Sequence, residues 1–175
     1  MDATRVAEGA VRGQYVRGTL RGKRVAAYAD EPRVAEDTTT ETYTALRLEV
    51  DNWRWAGVPF YLRTGKRLAA KRSEIVITFK SLPHNIFQAS YRKLPANRLI
   101  IRLQPDEGVE IEMLNKVPGL GRGLHLQRTM LDLSFSETFK SERIPDAYER
   151  LLLEAMRGSQ ALFIRRDEVE QAWTW

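Results

Sequence analysis

The 175-residue sequence contains no cysteine. This absence excludes disulfide bonds, cysteine-ligated zinc sites and a thiol nucleophile. It also fits a reducing compartment, so we expect a cytoplasmic protein. Histidine is scarce too, because only His84 and His125 are present and they lie far apart. We therefore expect no histidine metal site, and we interpret His125 as a structural or exposed residue rather than a general base.

Long hydrophobic runs are also missing. No apolar stretch approaches the roughly 20 residues that a membrane-spanning helix requires. The first residues lack the apolar core of a secretory signal. The charge is mixed, since 28 Lys and Arg residues against 23 Asp and Glu residues give a net charge of +5. That excess is too small to indicate a nucleic-acid partner, and the missing apolar runs predict no membrane partner.

A dinucleotide-binding fingerprint is absent from the sequence. No Gly-x-Gly-x-x-Gly motif follows a predicted strand and opens a helix. The glycines of residues 119–123 lie outside any strand–turn–helix frame, so we interpret that segment as an ordinary loop. No pair of nucleophile and base is evident either. The residues by themselves predict a binding site rather than a complete catalytic site.

Alternation of apolar and polar side chains predicts several strands. The alternation recurs at residues 46–50, 75–80, 109–116 and 131–135. A β-favouring run at 98–104 ends in turn-forming residues, which predicts that it forms a hairpin with the strand beginning at residue 109. The short connection requires the two strands to be antiparallel.

After Pro145 the apolar period becomes helical. Pro145 suits the first turn of a helix and Gly158 suits its end. Residues 163–173 predict a second helix with acidic residues in its first turn. Because strands are followed by helices, we predict an α+β fold with a large, mostly antiparallel sheet and helices on one face. The length suits a single domain over residues 1–175.

The basic residues are concentrated in residues 63–72, where five of ten residues are basic and none is acidic. This segment accounts for the whole net charge. Lys66 and Lys71 can each place an ammonium group beside a phosphate, and arginine can do the same with its planar fork. A sugar phosphate, a nucleotide phosphate and a nucleic-acid backbone are equally compatible with this pattern. On composition alone, a solvated basic loop is the favoured interpretation.

Two tryptophans, Trp53 and Trp55, lie just before this segment. Aromatic residues beside basic ones can stack on single-stranded bases. We favour the commoner role, in which tryptophan fills a core or an interface.

Two arrangements of carboxylates are compatible with a site. Glu110 and Glu112 share one face of a strand, where they can bind a metal or act as acid and base, but we favour a solvated outer face. Asp146 and Arg150 are four residues apart on the predicted helix, which favours an ion pair over a ligand contact.

Six segments of the sequence resemble the glucose-6-phosphate dehydrogenase family, in the order in which that family carries them. The segments are residues 39–43 (TTETY), 51–66 (DNWRWAGVPFYLRTGK), 101–105 (IRLQP), 115–119 (NKVPG), 145–151 (PDAYERL) and 166–173 (RDEVEQAW). The resemblance covers the C-terminal β+α domain of the family. It implies the fold class predicted above, with a sheet that also joins subunits.

The resemblance implies an enzyme that oxidises glucose 6-phosphate to 6-phosphogluconolactone with NADP, the first step of the oxidative pentose phosphate pathway. The family's N-terminal half carries a Rossmann coenzyme domain and an Asp-His-Tyr segment with the catalytic histidine. Residues 1–175 contain neither feature. We therefore expect no catalytic residue in this chain, no activity from it alone, and NADP bound mainly by the N-terminal domain. The implied partners are that domain and a second copy, in a dimer or a dimer of dimers.

The same resemblance assigns roles to three residues. Lys66 matches the lysine that binds the substrate phosphate, and Lys71 matches a basic position of the same site. Gln104 matches a glutamine that some members place near the substrate.

A second set matches positions that hold a structural NADP in animal members. The set comprises Arg63, Arg72, Arg102, Arg150 and Trp173. This sequence departs from the animal pattern at Val76, Glu110 and Glu112. Two carboxylates facing phosphates repel them, so we expect no structural NADP here.

Two functions outside catalysis remain as alternatives on sequence grounds. The basic segment 63–72 can bind RNA or another polyanion, with an affinity that falls steeply with salt. The domain can also act alone as a dimerisation module through its sheet.

Overall fold

The computed structural model describes residues 8–87, 91–119, 125–140 and 142–174. The strands are β1 (Ala10–Gly13), β2 (Gly18–Leu20), β3 (Lys23–Val25), β4 (Tyr43–Glu49), β5 (Pro59–Gly65), β6 (Ser73–Thr78), β7 (Arg98–Gln104), β8 (Gly108–Lys116) and β9 (Leu126–Ser134). The α-helices are α1 (Phe135–Thr138), α2 (Ala147–Met156) and α3 (Arg166–Thr174). A single 3₁₀ turn spans Tyr28–Asp30.

The predicted α+β class is confirmed, because every strand pair within the described ranges is antiparallel and the helices found there are few. The chain divides into two compact units: the first unit is Met1–Ala70 with Arg166–Trp175, and the second is Lys71–Arg165. The strands form three sheets where the sequence predicted one large sheet. The break follows β5, because residues 66–72 leave the extended conformation and Arg67 adopts a φ of 57°.

In the first unit, β1, β4 and β5 form a three-stranded sheet, and β2 and β3 form a separate hairpin. The register places Leu46 opposite Leu62 and Leu48 opposite Phe60. These apolar side chains share one face because directly opposed residues point the same way. The strand predicted from the alternation at residues 46–50 is therefore confirmed as β4, which ends at Glu49.

In the second unit, β6, β7, β8 and β9 form one four-stranded antiparallel sheet. The predicted hairpin is confirmed, with β7 and β8 joined by residues 105–107. One face of the sheet carries the apolar residues Ile75, Ile77, Leu99, Ile101, Val109, Ile111, Leu131 and Leu133, which lie opposite one another. We call these eight residues the apolar face. Leu131 is 58% exposed, so nothing within the described residues fully covers this face.

The other face of the same sheet carries ion pairs. Arg98 binds Glu112 at 2.6 Å, and Arg102 binds Glu110 at 2.8 Å and Asp132 at 2.6 Å. The carboxylates Glu110 and Glu112 are each only 15% exposed. The interpretation of Glu110 and Glu112 as a solvated pair is therefore wrong. Their strand lies inside the sheet, where arginines of the neighbouring strands cover the side chains.

The predicted helix after Pro145 is confirmed as α2, but the predicted ion pair between Asp146 and Arg150 is wrong. The carboxylate of Asp146 accepts a hydrogen bond from the backbone N–H of Tyr148 at 2.8 Å, which makes it the N-cap of the helix. Arg150 instead approaches Glu154 at 3.7 Å. The second predicted helix begins three residues later than expected, at Arg166.

Two further interpretations have different outcomes. Trp53 is 96% exposed, so the core role considered for it is wrong in this chain. Trp55 packs edge-on against Phe60, with 5.3 Å between the ring centres.

Residues 120–124 of the glycine-rich segment lie outside the described residues. No helix of the described ranges has the length and hydropathy needed to cross a membrane.

The chain leaves an unusually large surface exposed. Its accessible area is 15867 Å². A folded monomer of 20.2 kDa exposes about 8,800 Å². Among the described hydrophobic residues, Ile100 alone qualifies as buried. The apolar face and other exposed apolar side chains are therefore surfaces that burial against further protein would stabilise.

Candidate functional site

Lys66 lies immediately after the last residue of β5 in the first unit. Its backbone N–H donates a hydrogen bond of 2.8 Å to the carbonyl oxygen of Thr42. The side chain is exposed, and no ion-pair partner for its ammonium group is found in the described part of the chain. The backbone of Lys66 is thus fixed while its charge is available to a ligand.

Gly65 allows this close approach of two backbone segments. A Cβ atom at Gly65 would lie 2.9 Å from the Tyr43 ring and 3.2 Å from the carbonyl oxygen of Thr42. Tyr43 is the direct cross-strand partner of Gly65. A side chain at position 65 would push β5 away from β4 and displace Lys66.

Arg67 uses its charge within the protein. Its guanidinium forms an ion pair with Glu31 and lies over the ring of Tyr15, 5.6 Å from the ring centre. The hydroxyl of Tyr15 also donates to the Glu31 carboxylate at 3.2 Å. Hydrogen bonding to Tyr15 and then to Glu31 raises the pKa of Arg67. We call these three residues the Tyr15–Glu31–Arg67 cluster.

Thr42 connects this cluster to Lys66. It is 5% exposed, and its side-chain oxygen accepts a hydrogen bond of 2.9 Å from the backbone N–H of Tyr15. Gln14 donates to the carbonyl oxygens of Thr38 and Thr40 at 3.2 and 3.0 Å. These bonds satisfy the polar groups of a segment that would otherwise lose water without compensation.

The sequence predicts a substrate-binding role for Lys66, which stays a prediction, but it gives no sign of the contacts of Tyr15, Glu31 and Thr42. In the sequence, residues 39–43 stand out only as a motif shared with the family. The signal available for Thr42 was a run of threonines directly before a strand. Nothing in the sequence pairs Glu31 with Arg67, because 36 residues separate them.

The second unit carries the other two predicted substrate residues. Gln104 is the last residue of β7 and lies opposite Ser73, the first residue of β6. Lys71 precedes Ser73 by two residues, so Lys71 and Gln104 lie at the same end of this strand pair. Both side chains are exposed, and neither has a partner in the described residues.

The arginines that match a structural NADP site are largely occupied by carboxylates. Arg102 is held by Glu110 and Asp132, and it is packed so closely that a Cβ atom at Gly108 would lie 2.5 Å from its Nη2. Arg72 pairs with Glu74 at 3.3 Å. Carboxylates in these positions compete with a phosphate for the guanidinium groups.

The remaining members of that set do not alter this picture. Arg150 approaches Glu154 in α2, and Arg63 is exposed on β5. Trp173 is 87% exposed on α3. The residues present therefore fit a second NADP poorly, and its absence stays a prediction. Over the described residues, no cluster of three or more His, Asp or Glu side chains can hold a metal ion.

The family profile for the C-terminal domain of glucose-6-phosphate dehydrogenase matches residues 1–175. The chain is 59% identical over 175 residues to a glucose-6-phosphate 1-dehydrogenase of Dickeya dadantii, covering all of this chain and 36% of the relative. It is 53% identical over 173 residues to one of Rhizobium meliloti, covering 99% of this chain and 35% of the relative. The chain thus spans about a third of the length of these curated relatives.

Solved structures of the same family are also similar. One is a glucose-6-phosphate dehydrogenase in complex with its substrate glucose 6-phosphate, with a TM-score of 0.81 and 36% identity over 94% of this chain and 32% of that chain. Another is a glucose-6-phosphate 1-dehydrogenase from Mycobacterium avium, with a TM-score of 0.68 and 38% identity over 95% of this chain and 32% of that one. The match of profile, sequence and fold over the whole chain shows that it belongs to the glucose-6-phosphate dehydrogenase C-terminal domain family.

Proposed function

We propose that the chain forms the C-terminal part of an enzyme that oxidises glucose 6-phosphate to 6-phosphogluconolactone with NADP as hydride acceptor. The observation that carries the proposal is the ammonium group of Lys66, which has no ion-pair partner among the described residues and lies on a fixed backbone beside Arg67, whose charge is already used by Glu31. A compact ammonium group suits a single phosphate. A basic loop that bound a polyanion through several charges would leave more of its arginines unpaired.

The proposed role of this chain is to hold the substrate rather than to perform hydride transfer. Lys66 and Lys71 each contribute a positive charge to the phosphate group, and Gln104 contributes an amide that can donate to and accept from a sugar hydroxyl. When bound, mainly by residues outside 1–175, NADP would be the hydride acceptor. The proton of the sugar hydroxyl passes to a base that this chain does not supply.

We also propose that the sheet of the second unit takes part in association, within the polypeptide and between subunits of a homodimer or a dimer of dimers. The exposed apolar face supports this, because neighbouring apolar side chains that are not covered favour burial against protein. We place the enzyme in the cytoplasm, since a sequence without cysteine needs no oxidising compartment.

A chimera tests the proposed function. In it, residues 1–175 replace the matching third of the Dickeya dadantii relative. We expect NADPH production from glucose 6-phosphate and NADP by the chimera and none above background by the 175-residue chain alone. The unaltered relative is the positive control.

Two results would contradict the proposal. One is a chimera that elutes and unfolds like the unaltered relative but produces no NADPH. The other is NADPH production by the 175-residue chain alone, which would place a catalytic base within it.

A further inference from the structure

Arg67 has a backbone conformation that a side chain rarely adopts. Its φ of 57° lies in the left-handed region, which is disfavoured for residues other than glycine. Such a conformation persists only where the surroundings enforce it. The contacts of the Arg67 side chain therefore bear on the shape of the bend that follows β5.

The Tyr15–Glu31–Arg67 cluster supplies those contacts. Glu31 receives hydrogen bonds from both Arg67 and Tyr15, and the Tyr15 ring lies beneath the guanidinium. Tyr28 packs edge-on against Tyr15 at 5.6 Å, and its N–H donates to the Tyr15 carbonyl at 3.1 Å. The guanidinium of Arg67 is thus bound to a braced surface made by residues far away in the sequence.

This cluster is joined to the backbone of Lys66 through one residue. Tyr15 donates its N–H to the side chain of Thr42, and Lys66 donates its N–H to the carbonyl of Thr42. Lys66 is therefore held on one side through Thr42 and on the other through its covalent neighbour Arg67. Both connections lead back to Tyr15.

We infer that Arg67 is a positioning residue for Lys66: by binding Glu31 and Tyr15 it fixes the bend after Gly65 and so sets the direction of the Lys66 ammonium group toward the substrate phosphate. The inference rests on the proposed function. In this arrangement Arg67 does not itself contact the phosphate, because its charge is directed to Glu31. Freeing Arg67 from Glu31 therefore weakens phosphate binding rather than strengthening it.

The test measures kcat and KM of the chimera with glucose 6-phosphate and with glucose, which lacks the phosphate. Arg67→Met keeps the stem that packs on Tyr15 and removes the charge. Glu31→Gln removes the other half of the pair and leaves Arg67 in place. Arg47→Met is the control, since Arg47 forms an exposed pair with Glu49 in the same unit.

We expect Arg67→Met and Glu31→Gln each to raise KM for glucose 6-phosphate about tenfold, because a displaced charge loses most of its hydrogen-bond energy. The kcat for glucose 6-phosphate and the kcat/KM for glucose should stay within about twofold. Arg47→Met should change neither of these values nor the KM for glucose 6-phosphate. If kcat/KM for glucose 6-phosphate and kcat/KM for glucose fell to the same extent, this would indicate a folding defect and would overturn the inference. Arg67→Lys should restore part of the affinity, because lysine keeps the charge but not the fork.

The double variant separates positioning from direct contact. If Arg67 acts through Lys66, adding Arg67→Met to Lys66→Ala raises KM little beyond Lys66→Ala alone. If Arg67 binds the phosphate directly, the two effects multiply and Glu31→Gln lowers KM, which overturns the inference. An unchanged KM in Lys66→Ala contradicts the proposed function itself. A raised KM in Lys66→Ala with an unchanged KM in Arg67→Met contradicts only the inference.

Discussion

At the scale of single residues, the basic segment 63–72 contains side chains with different tasks. Arg67 and Arg72 have carboxylate partners, whereas Lys66, Lys71 and Arg63 have none in the described residues. The five basic residues of this segment equal the net charge of +5, but they are therefore not all available to bind an anion. Lys66 and Lys71 each combine exposure with an ammonium group that has no partner in the described residues, as the proposed contact with a phosphate requires.

Gly65→Ala should destabilise the first unit by about 1–2 kcal/mol, because the added Cβ meets the Tyr43 ring and the Thr42 carbonyl. It should also raise KM for glucose 6-phosphate in the chimera, since Lys66 follows directly. Urea unfolding and steady-state kinetics measure the two effects.

Gly13→Ala is the matched control for this substitution. Gly13, on β1, is the cross-strand partner of Tyr43, and β1 flanks β4 on the side away from β5. A Cβ atom at Gly13 meets nothing within 4 Å. Equal effects of the two substitutions would show that the close contact at Gly65 has no importance.

At the scale of elements, the strands β7, β8 and β9 are joined by ion pairs as well as by backbone hydrogen bonds. Arg102 on β7 binds Glu110 on β8 and Asp132 on β9, and the absence of a side chain at Gly108 makes room for it. Arg102 is itself only 19% exposed. Removing one partner from a largely buried ion pair leaves the other charge uncompensated.

Arg102→Met should lower the free energy of unfolding of the second unit by about 2 kcal/mol or more, because Glu110 then lies in the sheet without its partner. The exposed Arg143, which pairs with Glu149, is the control, and Arg143→Met should cost at most about 0.5 kcal/mol. Urea unfolding monitored by circular dichroism measures both. Similar costs for the two substitutions would contradict the role given to Arg102.

The end of α2 makes the stability depend on pH. A hydrogen bond with Ser159, and then the charges of Arg150 and Arg157, lower the pKa of Glu154. A lowered pKa stabilises the fold above the unfolded carboxyl pKa of about 4.3, and this contribution is lost as the pH falls through the folded value. Glu154→Gln should therefore reduce the fall in melting temperature on acidification. An unchanged acid dependence in this variant would contradict the assignment.

The sequence predicted elements well and long-range partners poorly. Strand alternation and the turn at residues 105–107 located the β7–β8 hairpin, because both signals are local. The pairing of Arg67 with Glu31, and of Glu110 with Arg102, depends on register between distant segments. For the same reason the sequence predicts a solvated face for Glu110 and Glu112, whereas both are paired with arginines in the sheet. The Lys66 prediction came from local basic composition and a family motif, whereas the residues that support Lys66 came only from the structure.

At the scale of the whole chain, the dominant property is the large accessible surface, on which many large apolar side chains are exposed. An accessible area of 15867 Å² is far above that of a folded monomer of equal mass. The chain also spans about a third of the curated relatives. Exposed apolar surface of this kind favours contact with further protein.

The 175-residue chain alone should therefore associate in solution, and Leu131→Lys should reduce the association. Leu131 lies on the apolar face, where a lysine ammonium group opposes burial. Met130→Lys is the control, because the neighbouring residue on the same strand points to the ion-paired face. Light scattering measures the mass. An equal effect of both substitutions, or a monomeric unsubstituted chain, would contradict the assignment of the apolar face.

The most direct test compares Lys66→Ala with Lys23→Ala in the chimera, using glucose 6-phosphate and glucose in parallel. Lys23 is an exposed lysine of the first unit on β3. We expect Lys66→Ala to raise KM for glucose 6-phosphate at least about tenfold, the value of one charge-assisted contact, while kcat/KM for glucose stays unchanged. Lys23→Ala should alter neither. An unchanged KM for glucose 6-phosphate in Lys66→Ala would show that this chain does not hold the substrate phosphate through Lys66.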